Sequence, residues 1–141
     1  MLYSPSLYIW SDYTILIVED DVSSTFYLKE VLKDTQAEIL HAANGQLALD
    51  ICNSSQSIDI ILMDIKIPVM NGYDATRAIK LIRPNLPIIA QTADATYDHR
   101  IFCIEAGCND FIAKPIDFNL LKFKITTLIG EEKKATTMGK G

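Results

Sequence analysis

Residues 58–82 read IDIILMDIKIPVMNGYDATRAIKLI and join two different patterns of apolar residues. The first part is a nearly continuous aliphatic run that ends at Asp64. In the second part, residues 72–82, apolar residues recur at helical spacing. A strand that is apolar throughout belongs in a parallel sheet that helices cover on both faces. The stretch therefore predicts a strand–helix unit of an α/β protein, with a carboxylate at the strand end that needs a partner.

The same alternation of strand and helix patterns extends along most of the chain. The predicted strands are 14–18, 38–43, 58–64, 87–92 and 110–113. The predicted helices are 23–33, 45–52, 72–82, 97–107 and 118–129, with Gly107 as a C-cap. Five strand–helix units in this order predict a parallel sheet between two layers of helices. Such sheets carry their sites at the carboxyl ends of the strands.

Composition excludes several classes of protein. The chain has 141 residues, 49% of them hydrophobic, which suits one domain with a full core. Its net charge of −5 argues against non-specific nucleic-acid binding. No apolar run approaches the roughly 20 residues of a membrane span, and no signal peptide is recognisable. We expect a cytoplasmic protein, or the cytoplasmic part of a membrane-bound chain. The cysteines, which lack metal-ligand spacing, are interpreted as reduced core residues: Cys52, Cys103 and Cys108.

The chain divides into three segments. Residues 1–13 form a leader or interdomain linker that is rich in aromatic residues, so we expect it to pack on this domain or on a neighbouring one. Residues 14–130 form the domain itself. Residues 131–141 are polar and are predicted to form a flexible tail.

Charged and hydroxyl side chains follow four of the predicted strands, and these strand ends are expected to converge. Carboxylates in one pocket repel each other unless a cation lies among them, and carboxylate oxygens with a small pocket suit Mg²⁺. A lysine and a hydroxyl beside such a metal suit the transfer of a phosphoryl group onto a carboxylate. The residues are Glu19, Asp20 and Asp21 after the first strand, then Asp64, Thr92 and Lys114.

Four strings carry a resemblance to a known family. ILIVEDD, ILMDIKIPVMNGYDATRAIK, PIIAQTADA and AGCNDFIAKPID resemble the receiver domain of two-component response regulators, over about residues 14–129. The amino-acid sequences of the second and fourth strings are most similar to those of receivers in hybrid sensor histidine kinases. The resemblance implies a three-layer, doubly wound (βα)5 flavodoxin-like fold. It also implies five parallel strands in the order 2-1-3-4-5.

The resemblance implies a phosphoacceptor with a metal beside it. Asp64 would be the phosphoacceptor. Glu19, Asp20 and Asp64 would hold Mg²⁺, with the backbone carbonyl of Lys66 as a further ligand. Asp21 is interpreted mainly as the cap of the first helix.

The resemblance also implies the switch residues. Thr92 would move its hydroxyl onto the phosphoryl group, and Lys114 would pair with that group. The peptide bond between Lys114 and Pro115 is expected to be cis. Phe111 stands at the aromatic switch position, which is often tyrosine, and its lack of a hydroxyl puts a readout through that hydrogen bond in doubt.

Two further positions flank the phosphoryl group in this family. We hypothesise that Lys66 and Asp94 form an ion pair over the site and slow hydrolysis, with two solvated side chains as the alternative. His41 and His99 lack the context of a kinase phosphoacceptor helix and are interpreted as ordinary residues.

Three functions compete. The first is a receiver that accepts a phosphoryl group from a phosphohistidine donor, on a histidine kinase or phosphotransfer domain, and catalyses its own phosphorylation and dephosphorylation. The second is a metal-dependent phosphohydrolase, which Lys66 disfavours because such enzymes often carry a second Asp there. The third is a receiver-like module that only binds a partner.

The first function leaves the parent protein open. The amino-acid sequences of these motifs and the aromatic leader favour a fragment of a hybrid sensor histidine kinase over a stand-alone regulator. A homodimer through the face from the fourth to the fifth helix is a further expectation, with no nucleic-acid partner and no membrane contact by this domain.

Overall fold

The computed structural model describes residues 8–94 and 96–140, with side chains as far as Gly130. The strands are β1 (Thr14–Val18), β2 (Glu38–Ala42), β3 (Ile60–Asp64), β4 (Ile88–Thr92) and β5 (Asp110–Ala113). The helices are α1 (Val22–Leu32), α2 (Gly45–Cys52), α3 (Gly72–Ile82), α4 (Tyr97–Ala106) and α5 (Phe118–Lys140). A short 3₁₀ turn, Lys33–Thr35, follows α1.

All neighbouring strands are parallel, and their order is β2-β1-β3-β4-β5. The flavodoxin-like α/β fold and the predicted strand order are therefore confirmed. Val18 pairs with Met63, and Asp64 pairs with Gln91. This register brings the carboxyl ends of the three inner strands to the same edge of the sheet.

Side-chain alternation along the inner strands builds two cores. Every residue of β1, β3 and β4 is buried. Leu16 and Met63 face the layer that contains α2 and α3, whereas Ile17 and Leu62 face the layer of α1 and α5. Because both faces of these strands are covered, only the two edges where the strands begin and end remain open to polar groups.

Side-chain caps fix where the helices begin. Asp21 caps α1 by accepting a 2.8 Å hydrogen bond from the Ser24 N–H, as predicted. Asn71 caps α3 by accepting from the Asp74 N–H at 3.0 Å. Gly107 ends α4 with a φ of 107°, which confirms the predicted C-cap.

The first end of the domain agrees with the expectation that the leader packs on it, and the last end differs from the predicted pattern. The Trp10 side chain is 4% exposed and packs in the α1–α5 core, and the Trp10 backbone N–H donates to the Thr35 carbonyl. Residues 1–7 lie outside the described residues. The last helix passes the predicted end at residue 129 and reaches Lys140, because Glu, Lys, Ala and Met favour helix and no proline interrupts them. Flexibility of the tail stays a prediction. Across the described residues, no helix has both the length and the apolar character needed to cross a membrane.

The three cysteines are free, and two of them are buried as predicted. Burial raises the pKa of each thiol, that of Cys108 to about 12. The thiols therefore stay protonated at neutral pH, so none of the three is a reactive thiolate.

Gly72 is the first residue of α3 and lies directly against the end of β3. Its N–H donates to the Ile65 carbonyl at 2.9 Å. A Cβ at this position would lie 2.5 Å from the Asp64 carbonyl oxygen and 2.7 Å from Ile65 Cα. The close approach of these two backbones needs glycine and helps to fix where Asp64 sits.

We expect Gly72→Ala to lower the free energy of unfolding by about 2 kcal/mol, because only backbone movement relieves the overlap. Urea denaturation measures the change. Gly130→Ala is the matched control, since a Cβ at Gly130 in α5 meets nothing within 4 Å. The control should leave stability unchanged or raise it by up to about 1 kcal/mol. Equal effects of the two substitutions would contradict the packing argument.

Candidate functional site

The carboxyl edge of the sheet holds a cavity of about 300 Å³. Each polar side chain that was predicted at a strand end lines it, because the parallel register places those ends side by side. Three of these residues follow β1, two close β3 and β4, and one follows β5. They are Glu19, Asp20, Asp21, Asp64, Thr92 and Lys114.

Three carboxylates form the acidic part of the cavity. Glu19 and Asp64 are 2% and 5% exposed, whereas Asp20 is exposed. One oxygen from each of the three lies within 4.8 Å of the others. Hard oxygen ligands at this separation, with one side open to water, fit Mg²⁺. Lys66 lines the same cavity, and its N–H donates to Asp64 Oδ1 at 3.2 Å; its carbonyl as a ligand stays a prediction.

Lys114 provides the positive charge of the site. Its Nζ lies 3.0 Å from Asp64 Oδ2 and 3.5 Å from Glu19 Oε1. Desolvation lowers the Lys114 pKa, but the hydrogen bond and charge of Asp64, followed by those of Glu19, outweigh it and raise the pKa overall. Lys114 therefore stays charged and offsets one of the two buried carboxylates. The peptide bond between Lys114 and Pro115 is cis, as expected.

The second buried carboxylate is compensated in another way. Burial, with further contributions from the hydrogen bond and charge of Asp64, raises the pKa of Glu19 to about 7. Near neutral pH a proton therefore occupies Glu19 for much of the time in the metal-free protein. A divalent cation among these oxygens would displace that proton.

Thr92 is tied to the loop that follows β4. Its hydroxyl donates to the Asp94 carbonyl at 2.9 Å and accepts from the Asp94 N–H at 3.1 Å. The hydroxyl thus has both of its bonds within the β4–α4 loop. Moving it toward Asp64 requires breaking the bond to the Asp94 carbonyl.

The partner of Asp94 differs from the hypothesis. Among the described residues its side-chain partner is His99, whose Nε2 lies 3.2 Å from Asp94 Oδ2, and not Lys66. The Asp94 carboxylate also accepts from the Thr96 N–H at 3.0 Å, which turns it toward the start of α4, where His99 lies. Both contacts lower the pKa of Asp94, and the hydrogen bond from the Thr96 N–H makes the largest contribution. Lys66 and Asp94 both line the cavity, and their effect on hydrolysis stays a prediction.

His99 is the residue that the sequence did not reveal as part of the site. It lines the cavity, and its Nδ1 lies 3.0 Å from the Tyr73 hydroxyl at the start of α3. Burial raises the pKa of Tyr73 to about 12, so its hydroxyl keeps its proton. A chain of contacts thus runs from Thr92 through Asp94 and His99 to Tyr73. His41 has a different position, with Nε2 2.8 Å from the Glu19 carbonyl oxygen.

Phe111 is half-buried and lies between two cations. Arg100 Cζ is 5.0 Å from the centre of its ring, and Lys124 Nζ is 5.9 Å from the same point. Ring faces attract cations at such distances. Lys124 also contacts both carboxylate oxygens of Asp110 at 3.0 Å. One cation from α4 and one from α5 therefore contact the ring.

Comparison with known proteins gives one family. The response regulator receiver domain family matches residues 15–126. The hybrid signal transduction histidine kinase M of Dictyostelium discoideum is 42% identical over 113 residues, 76% of this chain and 5% of the kinase. The probable transcriptional regulatory protein SilR of Salmonella typhimurium is 32% identical over 115 residues, 82% of this chain and 50% of the regulator. The chain thus spans half or less of the length of these two relatives.

Solved receiver domains share the fold. The receiver of a Pseudomonas aeruginosa sensor histidine kinase, solved with a magnesium ion in its active site cleft, has a TM-score of 0.77 and 35% identity. The alignment covers 84% of this chain and 98% of that one. A Saccharomyces cerevisiae response regulator receiver, solved with a histidine phosphotransfer protein, has a TM-score of 0.76 and 28% identity, covering 81% and 86% of the two chains.

We expect the apparent affinity for Mg²⁺ to be about tenfold lower at pH 6 than at pH 8, because the ion must displace a proton from Glu19, whose pKa is about 7. Isothermal titration calorimetry at the two pH values, in buffers of different ionisation enthalpy, measures the affinity and the released proton. Without metal, the Glu19 contribution to stability is full below pH about 4.5 and is lost as pH rises through about 7.

Glu19→Gln removes the titrating group and should flatten the pH dependence of whatever Mg²⁺ binding remains. Asp21→Asn is the matched control, because Asp21 caps α1 next to the site. A pH dependence that survives in Glu19→Gln would place the titrating proton on another residue.

Proposed function

The chain belongs to the response regulator receiver domain family, and we propose that it accepts a phosphoryl group from a phosphohistidine donor onto Asp64. The main support for this proposal is the position of Asp64 at the end of a buried strand. Its Oδ2 lies 3.0 Å from Lys114 Nζ, and two further carboxylates lie beside it. A buried carboxylate with a fixed cation and an open side toward solvent suits nucleophilic attack on phosphorus.

In the proposed step a carboxylate oxygen of Asp64 attacks the phosphorus in line with the leaving imidazole. The bond between phosphorus and Asp64 forms while the phosphorus–nitrogen bond breaks, and the electron pair returns to the donor ring. Lys114 neutralises charge on the phosphoryl oxygens. Mg²⁺, held by Glu19, Asp20 and Asp64 with the Lys66 carbonyl as a further proposed ligand, would neutralise charge on the same oxygens when bound. In the proposed hydrolysis a water attacks the phosphorus, the bond between phosphorus and Asp64 breaks, and inorganic phosphate leaves the free carboxylate behind. The domain would thus catalyse both changes on itself.

Thr92 is the proposed switch. Its hydroxyl leaves the Asp94 carbonyl and donates to the new phosphoryl group, which releases one bond that holds the β4–α4 loop. The loop carries Asp94, so the contact of Asp94 with His99 at the start of α4 changes with it. The phosphoryl group then biases an equilibrium between two arrangements of this loop and helix.

The proposed donor surface is α1. Three large apolar side chains of this helix are exposed, namely Val22 (83%), Phe26 (64%) and Tyr27 (58%). They lie beside the phosphoacceptor cavity, which Ser24 of the same helix lines. An apolar helix face next to the site suits the helix of a histidine phosphotransfer or kinase domain. The yeast receiver solved with a histidine phosphotransfer protein supports a donor of this class.

A fragment of a hybrid sensor histidine kinase is the favoured parent protein. The 42% identity to a hybrid kinase, of which the chain spans 5%, supports this origin. A stand-alone regulator remains the alternative, and a cytoplasmic location goes with either. Exposed apolar residues on α4, namely Tyr97, Phe102 and Ile104, favour a homodimer through the α4–α5 face.

The two competing functions have less support. A phosphohydrolase of this kind often uses a second Asp two residues after the nucleophile, where this chain has Lys66. A module that only binds a partner has no need of two buried carboxylates grouped around Lys114.

We expect incubation with Mg²⁺ and acetyl phosphate to add one phosphoryl group, and Asp64→Ala to abolish the adduct, because Asp64 is the nucleophile. Intact mass spectrometry measures the adduct, with a chelator as a second negative sample. Asp50→Asn, an exposed carboxylate on α2, is the matched control and should still be modified. A folded, metal-loaded sample without any adduct would favour the partner-binding module, and steady phosphate release without an adduct would favour the hydrolase.

We expect His99→Ala to raise the rate of phosphorylation by acetyl phosphate up to about fivefold, because it removes a half-exposed contact that stabilises the unmodified loop. A time course of the adduct measures the rate. Arg77→Ala is the matched control, since it removes a comparable 2.9 Å ion pair with Asp74 on α3. An unchanged rate in His99→Ala would separate the histidine from the switch.

A further inference from the structure

A second cavity, of about 350 Å³, opens between α1 and the loop that leads into α5. Its walls are mainly apolar and come from Tyr27, Leu28, Ile116 and Phe118. The rings of Tyr27 and Phe118 meet edge to face, with their centres 5.2 Å apart. Apolar walls with a few converging polar groups are typical of sites for small molecules.

Gln91 is the unusual residue of this cavity. It lies on β4 between the second cavity and the phosphoacceptor cavity and lines both. Its side chain is fully buried, and neither amide atom has a hydrogen-bond partner among the described residues. Leaving a buried amide unpaired is unfavourable, and an aliphatic residue of similar size would avoid the cost. Both amide atoms are closed off from solvent in this structure, so the missing partner is a buried water or a ligand whose entry moves the cavity wall.

We propose that the second cavity binds a small uncharged molecule with a flat apolar body and an amide-type edge that pairs with Gln91. A primary amide offers an N–H donor and a carbonyl acceptor side by side, so the complementary group is another edge with one donor and one acceptor. Carboxamides, lactams and the edges of nucleobases share this chemistry. The flat body would lie against Tyr27 and Phe118.

The charges around the cavity favour a neutral ligand. Lys114 and Glu19 both line it, but they lie 3.5 Å from each other, and Lys114 also contacts Asp64 at 3.0 Å. The ammonium group of Lys114 is therefore turned toward the carboxylates of the phosphoacceptor cavity, and Glu19 offers no attraction to a carboxylate ligand of the second cavity. The site needs no phosphoryl group, so this inference stands or falls independently of the proposed phosphotransfer.

Benzamide is the probe, and acetophenone is its matched partner because a methyl group replaces the amide nitrogen without changing the shape. We expect benzamide to bind at least about fivefold more tightly than acetophenone, since only benzamide offers the donor. Benzoate should bind more weakly than either. Chemical-shift titrations of the isotope-labelled full chain measure the affinities, with the largest shifts expected at Gln91, Tyr27 and Phe118.

Gln91→Leu should weaken benzamide binding about tenfold and leave acetophenone less affected. The variant should also melt at the same or a higher temperature, since it removes an unpaired buried amide. Gln46→Leu is the matched control, because Gln46 lies on α2 and hydrogen-bonds Asp50 at the surface. The comparison of benzamide with acetophenone on the unmodified chain needs no variant.

Equal affinity for benzamide and acetophenone, binding that survives Gln91→Leu, or no shift at Gln91 at saturating benzamide would each overturn the proposal. The last outcome would instead indicate that the cavity is part of the surface on α1 where the proposed protein donor docks.

Discussion

Charge compensation at one edge of a buried sheet is the constraint on which this structure depends. The inner strands have both faces covered, and the charged residues at their carboxyl ends are brought to one edge of the sheet. Glu19 and Asp64 are brought together there with one lysine between them. A single ammonium cannot offset two buried carboxylates, so the site needs a further positive species. A proton on Glu19 and a divalent cation are two solutions to the same electrostatic problem, and each changes what Asp64 can do.

The proposed response to a phosphoryl group would leave the site by two chains of contacts. One runs from Thr92 through Asp94 and His99 to the helix that follows. The other leads through Phe111, whose ring is held between Arg100 and Lys124 and has no hydroxyl to anchor inward. Polar contacts make the first route directional, whereas ring–cation contacts tolerate rotation and sliding. In this chain the β4–α4 loop is therefore the better-defined path from the site to the surface.

The five strand–helix units and the convergence of the strand-end residues were predictable from the pattern of apolar residues, whereas the strand order followed from the family resemblance. Runs such as 60–64 are apolar on both faces, so they belong to a parallel sheet, and residues that follow such strands must converge. The partner of Asp94 was not predictable, because the hydrogen bond from the Thr96 N–H sets the direction of its carboxylate. The burial of Gln91 was also hidden, since a lone polar residue in an apolar strand has no sequence signal that tells which cavity it faces.

The position of the one tryptophan sets what the optical spectrum of this protein reports. Trp10 is buried just before β1, and Glu19 follows that strand. Five residues of strand, about 16 Å at roughly 3.3 Å per residue, separate the indole from the acidic cavity. Its emission is therefore governed by packing at the amino edge of the sheet, where the Tyr8 ring lies against the indole with ring centres 5.6 Å apart. Tryptophan fluorescence will report the unfolding of the α1–α5 layer. Events at the carboxyl edge will leave the emission unchanged unless the whole of β1 moves.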